Sequence, residues 1–220
     1  MTRRLYYFNS QQYALESIRD ERIKVARFTE LNDPFDFLGI AVDLPSQRYS
    51  LKEARKEADK ANGIICMSTT WQEPLLWGHY ADKHKGICLG FDVEDEDWQK
   101  VKYRKERPSL ARYGAKSLDD ITEKQWEEIS LTKFKAWEYE KEYRCLVELT
   151  EPDLVTGLYF KRFSPRMALR QVIVGHRSTA TREMVQRLCE RVGGGVEAFK
   201  ARPAYRDFRI IRQQTESLWK

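Results

Sequence analysis

Glu138, Glu140 and Glu142 put three carboxylates within five residues, and Arg144 follows two places later. Near Lys141 the sequence pattern changes from a helical period to a two-residue one. Glu140, Glu142 and Arg144 then share one face of a strand, with Tyr143, Cys145 and Val147 on the other. Carboxylates this close oppose each other's ionisation, so at least one needs a cation or a ligand nearby. Two readings follow. Arg144 neutralises a salt-bridged strand end, or Glu140 and Glu142 act on a bound molecule.

A second concentration of polar groups lies between residues 63 and 92, GIICMSTTWQEPLLWGHYADKHKGICLGFD. Residues 64–67 and 87–91 are short apolar runs, as expected of strands buried on both faces. They should be neighbours or near neighbours in one sheet. Pro74 suits the first position of a helix. Leu76, Trp77, Tyr80 and His84 recur at helical spacing, which predicts a helix over 74–84 packed on that sheet. Ser68, Thr69, Thr70, His79, Asp82 and His84 then fall at or near strand ends, the expected place for a site. His79 and His84 are five apart, too far round a helix for paired metal ligation, and no metal is expected. The sequence has no H-E-x-x-H, no glycine-rich phosphate loop and no G-x-S-x-G elbow. No acidic residue stands two places before a lysine, which excludes the acidic-x-lysine core of many metal-dependent nucleases.

The elements that position these groups are readable in outline. Residues 5–8 form a strand, and Ser10 caps a helix with Tyr13, Ala14 and Ile18 inward. Residues 23–28 form a strand. Asn32-Asp33-Pro34-Phe35-Asp36 is a tight turn in which Asn32 and Asp33 bond backbone groups. Residues 51–61 make a charged surface helix, and the acidic run 92–97, lacking a glycine, a solvated loop. Val101 and Tyr103 suit a strand, and a long helix runs from Asp119 or Asp120 toward Trp137. Strands follow at 158–163 and 171–174. Thr179 caps a helix that Gly193 ends, and residues 196–200 and 208–211 close the fold. The expectation is a single α+β domain over residues 1–220, with mixed or antiparallel central sheets and packed helices.

The chain is 41% hydrophobic and 33% charged, enough for a sizeable core in a soluble protein. No apolar run approaches the ~18 residues of a membrane span, and the first residues lack the apolar stretch of a secretory signal. Four cysteines without a C-x-x-C pair read as reduced core thiols. Together these predict a cytoplasmic protein without a membrane partner. The last sixty residues hold 14 Lys/Arg against 5 Asp/Glu, which fits either a solvated surface or a face for nucleic acid or an acidic protein.

Whole motifs carry a resemblance. Leu5-Tyr6-Tyr7, Asn32-Asp33-Pro34-Phe35-Asp36 and Met67-Ser68 resemble segments of the bacterial domain-of-unknown-function family 2971. So do Trp77-x-x-Tyr80-Ala81, Gly86-Ile87-Cys88 and Trp137-x-Tyr139-Glu140-x-Glu142-x-Arg144. The resemblance covers most of residues 5–180 and implies little chemistry, because that family is mostly uncharacterised.

A second similarity implies a reaction. NAD-using ADP-ribosyltransferases carry an arginine or histidine on a first strand, Ser-Thr-Ser or a tyrosine on a middle element, and Glu-x-Glu on a late strand. Arg4, Ser68-Thr69-Thr70 and Glu140-x-Glu142 are similar to that series, with Thr70 in place of the last serine and Tyr6 or Tyr7 where a histidine stands. The similarity implies NAD as co-substrate and a toxin or defence effector. Glu142, with Glu140, would stabilise the oxocarbenium-like centre, and Trp77 or Tyr80 would form the aromatic wall. Arg4 would hold the pyrophosphate, with Tyr7, Ser68 and His79 lining the nucleotide site. The alternative class is a non-catalytic nucleic-acid-binding or sensor module that uses the basic C-terminal region. A third possibility is nucleotide hydrolysis in the same cleft.

Overall fold

The computed structural model describes residues 1–219. The chain opens with β1 (Thr2–Asn9), α1 (Gln11–Arg19) and β2 (Arg22–Val25). After an irregular stretch come α2 (Pro45–Ala61), β3 (Asn62–Ser68), α3 (Pro74–Tyr80) and β4 (Ile87–Glu94). Short strands β5 (Gln99–Lys100) and β6 (Lys102–Arg104) lead to α4 (Glu123–Ser130), β7 (Thr132–Phe134) and β8 (Glu142–Glu148). The chain closes through β9 (Tyr159–Arg162), β10 (Met167–Val174), α5 (Arg182–Val192), β11 (Glu197–Pro203) and β12 (Ile210–Arg212). The fold is α+β. Eight strands form one mixed sheet in the order β12-β11-β10-β4-β1-β3-β8-β5, in which only β10 and β11 run parallel. Two further ladders, β2–β9 and β6–β7, stand beside it.

The continuous apolar runs are explained by layers on both faces of the sheet. Leu5, Leu89, Phe91 and Val172 face α1 and α5, where Ala14, Ile18, Val185 and Cys189 complete the main core. Cys88 and Ile173 face the other way, against Trp77 and Ala81 at α3. β3 and β4 lie on either side of β1, so the two strands are near neighbours in one sheet, as expected. The four cysteines are free thiols. No helix among the described residues is long and apolar enough to cross a membrane.

Several boundaries differ from expectation for local reasons. α3 stops at Tyr80, and Asp82, Lys83 and His84 all have positive φ (41°, 52° and 70°), so the spacing that joined His84 to the helix is a coincidence of a left-handed turn. The long helix toward Trp137 is instead a 3-10 turn at Leu118–Asp120, then α4, then strand β7. Ser130 and Thr132 hydroxyls donate to Glu127 and Glu128 carbonyls, at 2.8 and 3.0 Å, and end the helix. Residues 135–140 form a 3-10 segment closed by Lys141 at φ 45°. Glu140 therefore precedes the strand that holds Glu142 and is not part of it. α2 begins at Pro45, earlier than the charged pattern indicated, because proline is favoured at the first helical position. β2 stops at Val25, since Phe28 enters a 3-10 turn.

Candidate functional site

β1 and β3 share a single residue pair, Tyr6 with Ser68. From there the strands splay, and β3 takes a different neighbour at Ile64, whose backbone N–H and C=O both bond Ala26 just beyond β2. A cavity of about 230 Å³ occupies the wedge, walled by Tyr6, Tyr7 and Phe8 of β1 and by residues 64–68 of β3. Its floor is charged: Asp36, Lys133, Glu140 and Glu142. Register explains why these meet. Ser68 pairs with Tyr6 on one side and with Glu142 on the other, so one row crosses three strands at the end of the wedge.

The charged groups form one buried network. Lys133 Nζ lies 2.6 Å from Glu140 Oε2, 3.0 Å from Glu142 Oε2 and 3.8 Å from Asp36 Oδ2. Arg144 donates to Glu142 Oε1 at 2.7 Å, to Asp36 Oδ1 at 2.6 Å and to the Ser130 carbonyl at 2.7 Å. Tyr80 donates its hydroxyl proton to Glu140 Oε1 at 2.5 Å. The Glu142 backbone N–H donates to the Tyr103 hydroxyl at 2.8 Å. Asp36, Lys133, Glu140, Glu142 and Arg144 are all buried.

With all five ionised, three carboxylates face two cations. Burial also raises the Asp36 carboxyl, against Arg144 and Lys133, and the excess negative charge falls chiefly on Glu140. Burial pushes its pKa up to about 7, with Lys133 opposing and the Glu142 charge adding to the rise. Burial would raise Glu142 as well, but Arg144 and Lys133 outweigh it and hold that carboxylate well below the usual range. For Lys133, burial opposes the charge, and the carboxylates of Glu142, Asp36 and Glu140 overcome it, so the ammonium is retained above its ordinary pKa. Burial, then Glu140, raises the Tyr80 hydroxyl. Burial raises the Cys66 thiol well above its usual value, with the Glu142 charge adding to the effect. The site therefore holds one carboxyl poised near neutrality beside one that stays ionised.

Of the residues singled out from sequence, Tyr7, Ser68, Tyr80, Glu140 and Glu142 line the cavity. Ser68 is already engaged: its hydroxyl donates to the Glu140 carbonyl at 2.6 Å and accepts from Thr70 N–H at 3.1 Å. Arg4, Trp77 and His79 lie elsewhere. Arg4 is at the other end of β1, 2.5 Å from Asp92. Trp77 is fully buried between α3 and the sheet, behind the Phe8 wall of the cavity, edge-on to Phe8 and with its indole N–H on the Trp71 carbonyl. His79 is exposed among the rings of Tyr80, Trp137 and Tyr139, at 6.0–6.3 Å between centroids.

Sequence reasoning missed Lys133, Asp36 and Tyr103. Lys133 was hidden inside an expected helix. Asp36 belongs to the Asn-Asp-Pro-Phe-Asp turn, where Asp33 Oδ1 accepts from Phe35 N–H at 2.9 Å and so fixes the direction of the chain. Asn32 lines the cavity. The signal available for Asp36 was that its turn, like the separate Trp137–Arg144 segment, is among the motifs that carry the family resemblance.

Residues 76–145 match the family model described as "Protein of unknown function (DUF2971)". The matched segment runs from α3 into β8 and contains Tyr80, Lys133, Glu140, Glu142 and Arg144, most of the charged network. Tyr7, Asp36 and Ser68 lie before it. No curated protein and no solved structure matches the chain.

Proposed function

We propose that the chain transfers ADP-ribose from NAD to an acceptor, with the reaction taking place in the wedge between β1 and β3. The observation that supports this reading is the row Tyr6–Ser68–Glu142, in which a first strand, a middle strand and a late strand present an aromatic, a hydroxyl and a carboxylate at one cavity. A volume of about 230 Å³ is below the ~300–1,000 Å³ of drug-sized sites. It suits the nicotinamide riboside end of the dinucleotide, with the remainder outside.

The roles differ from those implied by resemblance. Glu142, held ionised, supplies the negative charge that steadies the oxocarbenium-like centre as the bond from ribose C1′ to nicotinamide breaks. Glu140, poised near neutrality, takes the proton that the acceptor loses when it bonds C1′. Nicotinamide leaves as a neutral molecule. Tyr7 and Tyr80 form the aromatic walls, and Lys24, which lines the cavity beside its partner Glu30 at 2.9 Å and would exchange that carboxylate for phosphate, replaces Arg4 as the cation for the pyrophosphate.

The test is nicotinamide release from NAD by the purified protein, measured chromatographically, for wild type and Glu140→Gln. Release by wild type and its loss in a folded Glu140→Gln variant are expected. No release from NAD by the wild type, or equal release by both, ends this reading.

The second reading, a nucleic-acid-binding module at the C-terminal region, draws on the β11–β12 hairpin. Tyr205 and Phe208 are 94% and 99% exposed there, beside Arg202, Arg206 and Arg209. Against it, Arg166, Arg170, Arg187, Arg209 and Arg212 are engaged by carboxylates of the chain itself.

A further inference from the structure

A group of uncommitted cations lies nearer the cavity. From the last residue of β6 the chain runs Arg104-Lys105-Glu106-Arg107-Pro108-Ser109, and Arg112 follows in a 3-10 turn at Leu110–Tyr113. Lys105, Arg107 and Arg112 are exposed, and among the described residues none of them has a carboxylate within ion-pair distance. Pro108 is buried and its carbonyl accepts from Ala41 N–H at 2.8 Å, so the loop is pinned at its middle. One side of the loop is an open groove lined by Arg104, Lys105, Arg107 and Arg112 together with Glu106, and among the described residues Arg104 alone of the four cations has a carboxylate partner, Glu128 at 3.4 Å. Arg104 Nε is buried there without a hydrogen-bond partner.

The other side of the same loop is a recess of about 250 Å³. Phe35 and Phe134 line it, 52% and 50% exposed, and the Arg107 guanidinium sits 4.6 Å from the centre of the Phe35 ring. Lys133 lines both this recess and the wedge cavity, so the two adjoin at that residue.

We propose that this loop binds single-stranded nucleic acid, with phosphates along the Arg104–Arg112 groove and an unstacked base against Phe35 and Phe134. A basic track beside exposed aromatic faces is the arrangement that single strands recognise, because every base offers a π-face and every linkage a negative charge. A duplex keeps its base faces stacked and would leave both rings unused. An acidic peptide would satisfy the cations and likewise leave the rings bare. Binding is independent of the transferase reading. Only the further step, that the strand is the acceptor brought beside Glu140, rests on it.

The test is fluorescence anisotropy of labelled DNA and RNA single strands of about 15 nucleotides with the full chain, over a series of salt concentrations. Wild type should bind with an affinity that falls linearly in log–log form with salt. Lys105→Glu/Arg107→Glu/Arg112→Glu should weaken binding more than about tenfold and flatten the slope by about 2, from roughly 0.7 per lost phosphate contact. Phe134→Leu keeps an apolar side chain but removes the aromatic face. It should weaken binding about fivefold or more with the slope unchanged. Arg206→Glu/Arg209→Glu on the hairpin should bind as wild type does. Melting curves of all variants confirm that they fold.

Absence of binding overturns the proposal, as does equal binding by the triple variant or loss confined to the hairpin variant. Equal affinity for a duplex of the same length, or equal competition by polyglutamate, also overturns it. Strand binding without nicotinamide release keeps this inference and removes the transferase. Release without strand binding does the opposite.

Discussion

Glu140 and Glu142 sit two residues apart on one lysine, yet they answer to protons in opposite ways. Glu140 has a folded pKa of about 7 against an ordinary 4.5, so between those values the folded state holds a proton that the unfolded chain has lost. Its contribution to stability is complete below about pH 4.5 and is lost as pH rises through 7, an effect of roughly 3 kcal/mol. Glu142 is depressed, so its contribution is present above about pH 4.5 and is lost as pH falls further. The combined contribution of this pair should therefore peak near pH 4.5–5. Melting temperatures at pH 5, 6, 7 and 8 should fall more steeply for wild type than for Glu140→Gln, and parallel curves would refute the assignment. Glu142→Gln is a different experiment, because it breaks contacts to both Lys133 and Arg144 in a buried setting. A loss of about 3–5 kcal/mol in urea unfolding is expected. For that reason Glu140→Gln, not Glu142→Gln, is the cleaner variant for activity. Glu140, Glu142 and Arg144 were legible because three charges alternating within five residues require partners, even though Glu140 itself stands before the strand. Lys133 and Asp36 were not, because a lone lysine in a charged segment and an aspartate in a turn look the same whether buried or solvated.

Among elements, the unit from β3 through α3 to β4 was read almost correctly, since continuous apolar runs report burial on both faces wherever the strands pair. What could not be read was the left-handed turn after Tyr80, which imitates the helical period by spacing alone. That turn depends on Gly86. A Cβ there would stand 2.0 Å from the Asn9 carbonyl and 2.9 Å from the Ala81 backbone, and neither can move without disturbing β1 or the end of α3. Gly86→Ala should cost at least 1–3 kcal/mol, about the cost of overpacking a core. At Gly78, on the exposed side of α3, an added Cβ would meet no atom within 4 Å, so Gly78→Ala should stabilise by about 0.5–1 kcal/mol. Chemical denaturation of the pair measures both, and the same sign for the two would contradict this packing. The expected helix toward Trp137 failed for a related reason. Its apolar spacing was adequate, but Ser130 and Thr132 turn their hydroxyls back on the preceding carbonyls and release the chain into β7.

At the scale of the molecule, the class of fold followed from alternating strand and helix patterns, whereas strand order did not, because pairing partners are separated by up to most of the chain. β1 lies between β3 and β4, and β10 joins from residues 167–174. The single Tyr6–Ser68 pair makes the large sheet two leaves on one hinge: β12-β11-β10-β4-β1 on one side and β3-β8-β5 on the other. Rotation about that hinge would widen the wedge while each leaf keeps its own ladder of hydrogen bonds, with the Ile64–Ala26 pair as the other backbone tie at the wedge. Deuterium uptake should reveal it. Amides of β1 and β3 that face the wedge should exchange well before those of β4, which is paired along its length with β1 and β10, and a molecule entering the wedge should slow that exchange by closing the two leaves upon itself.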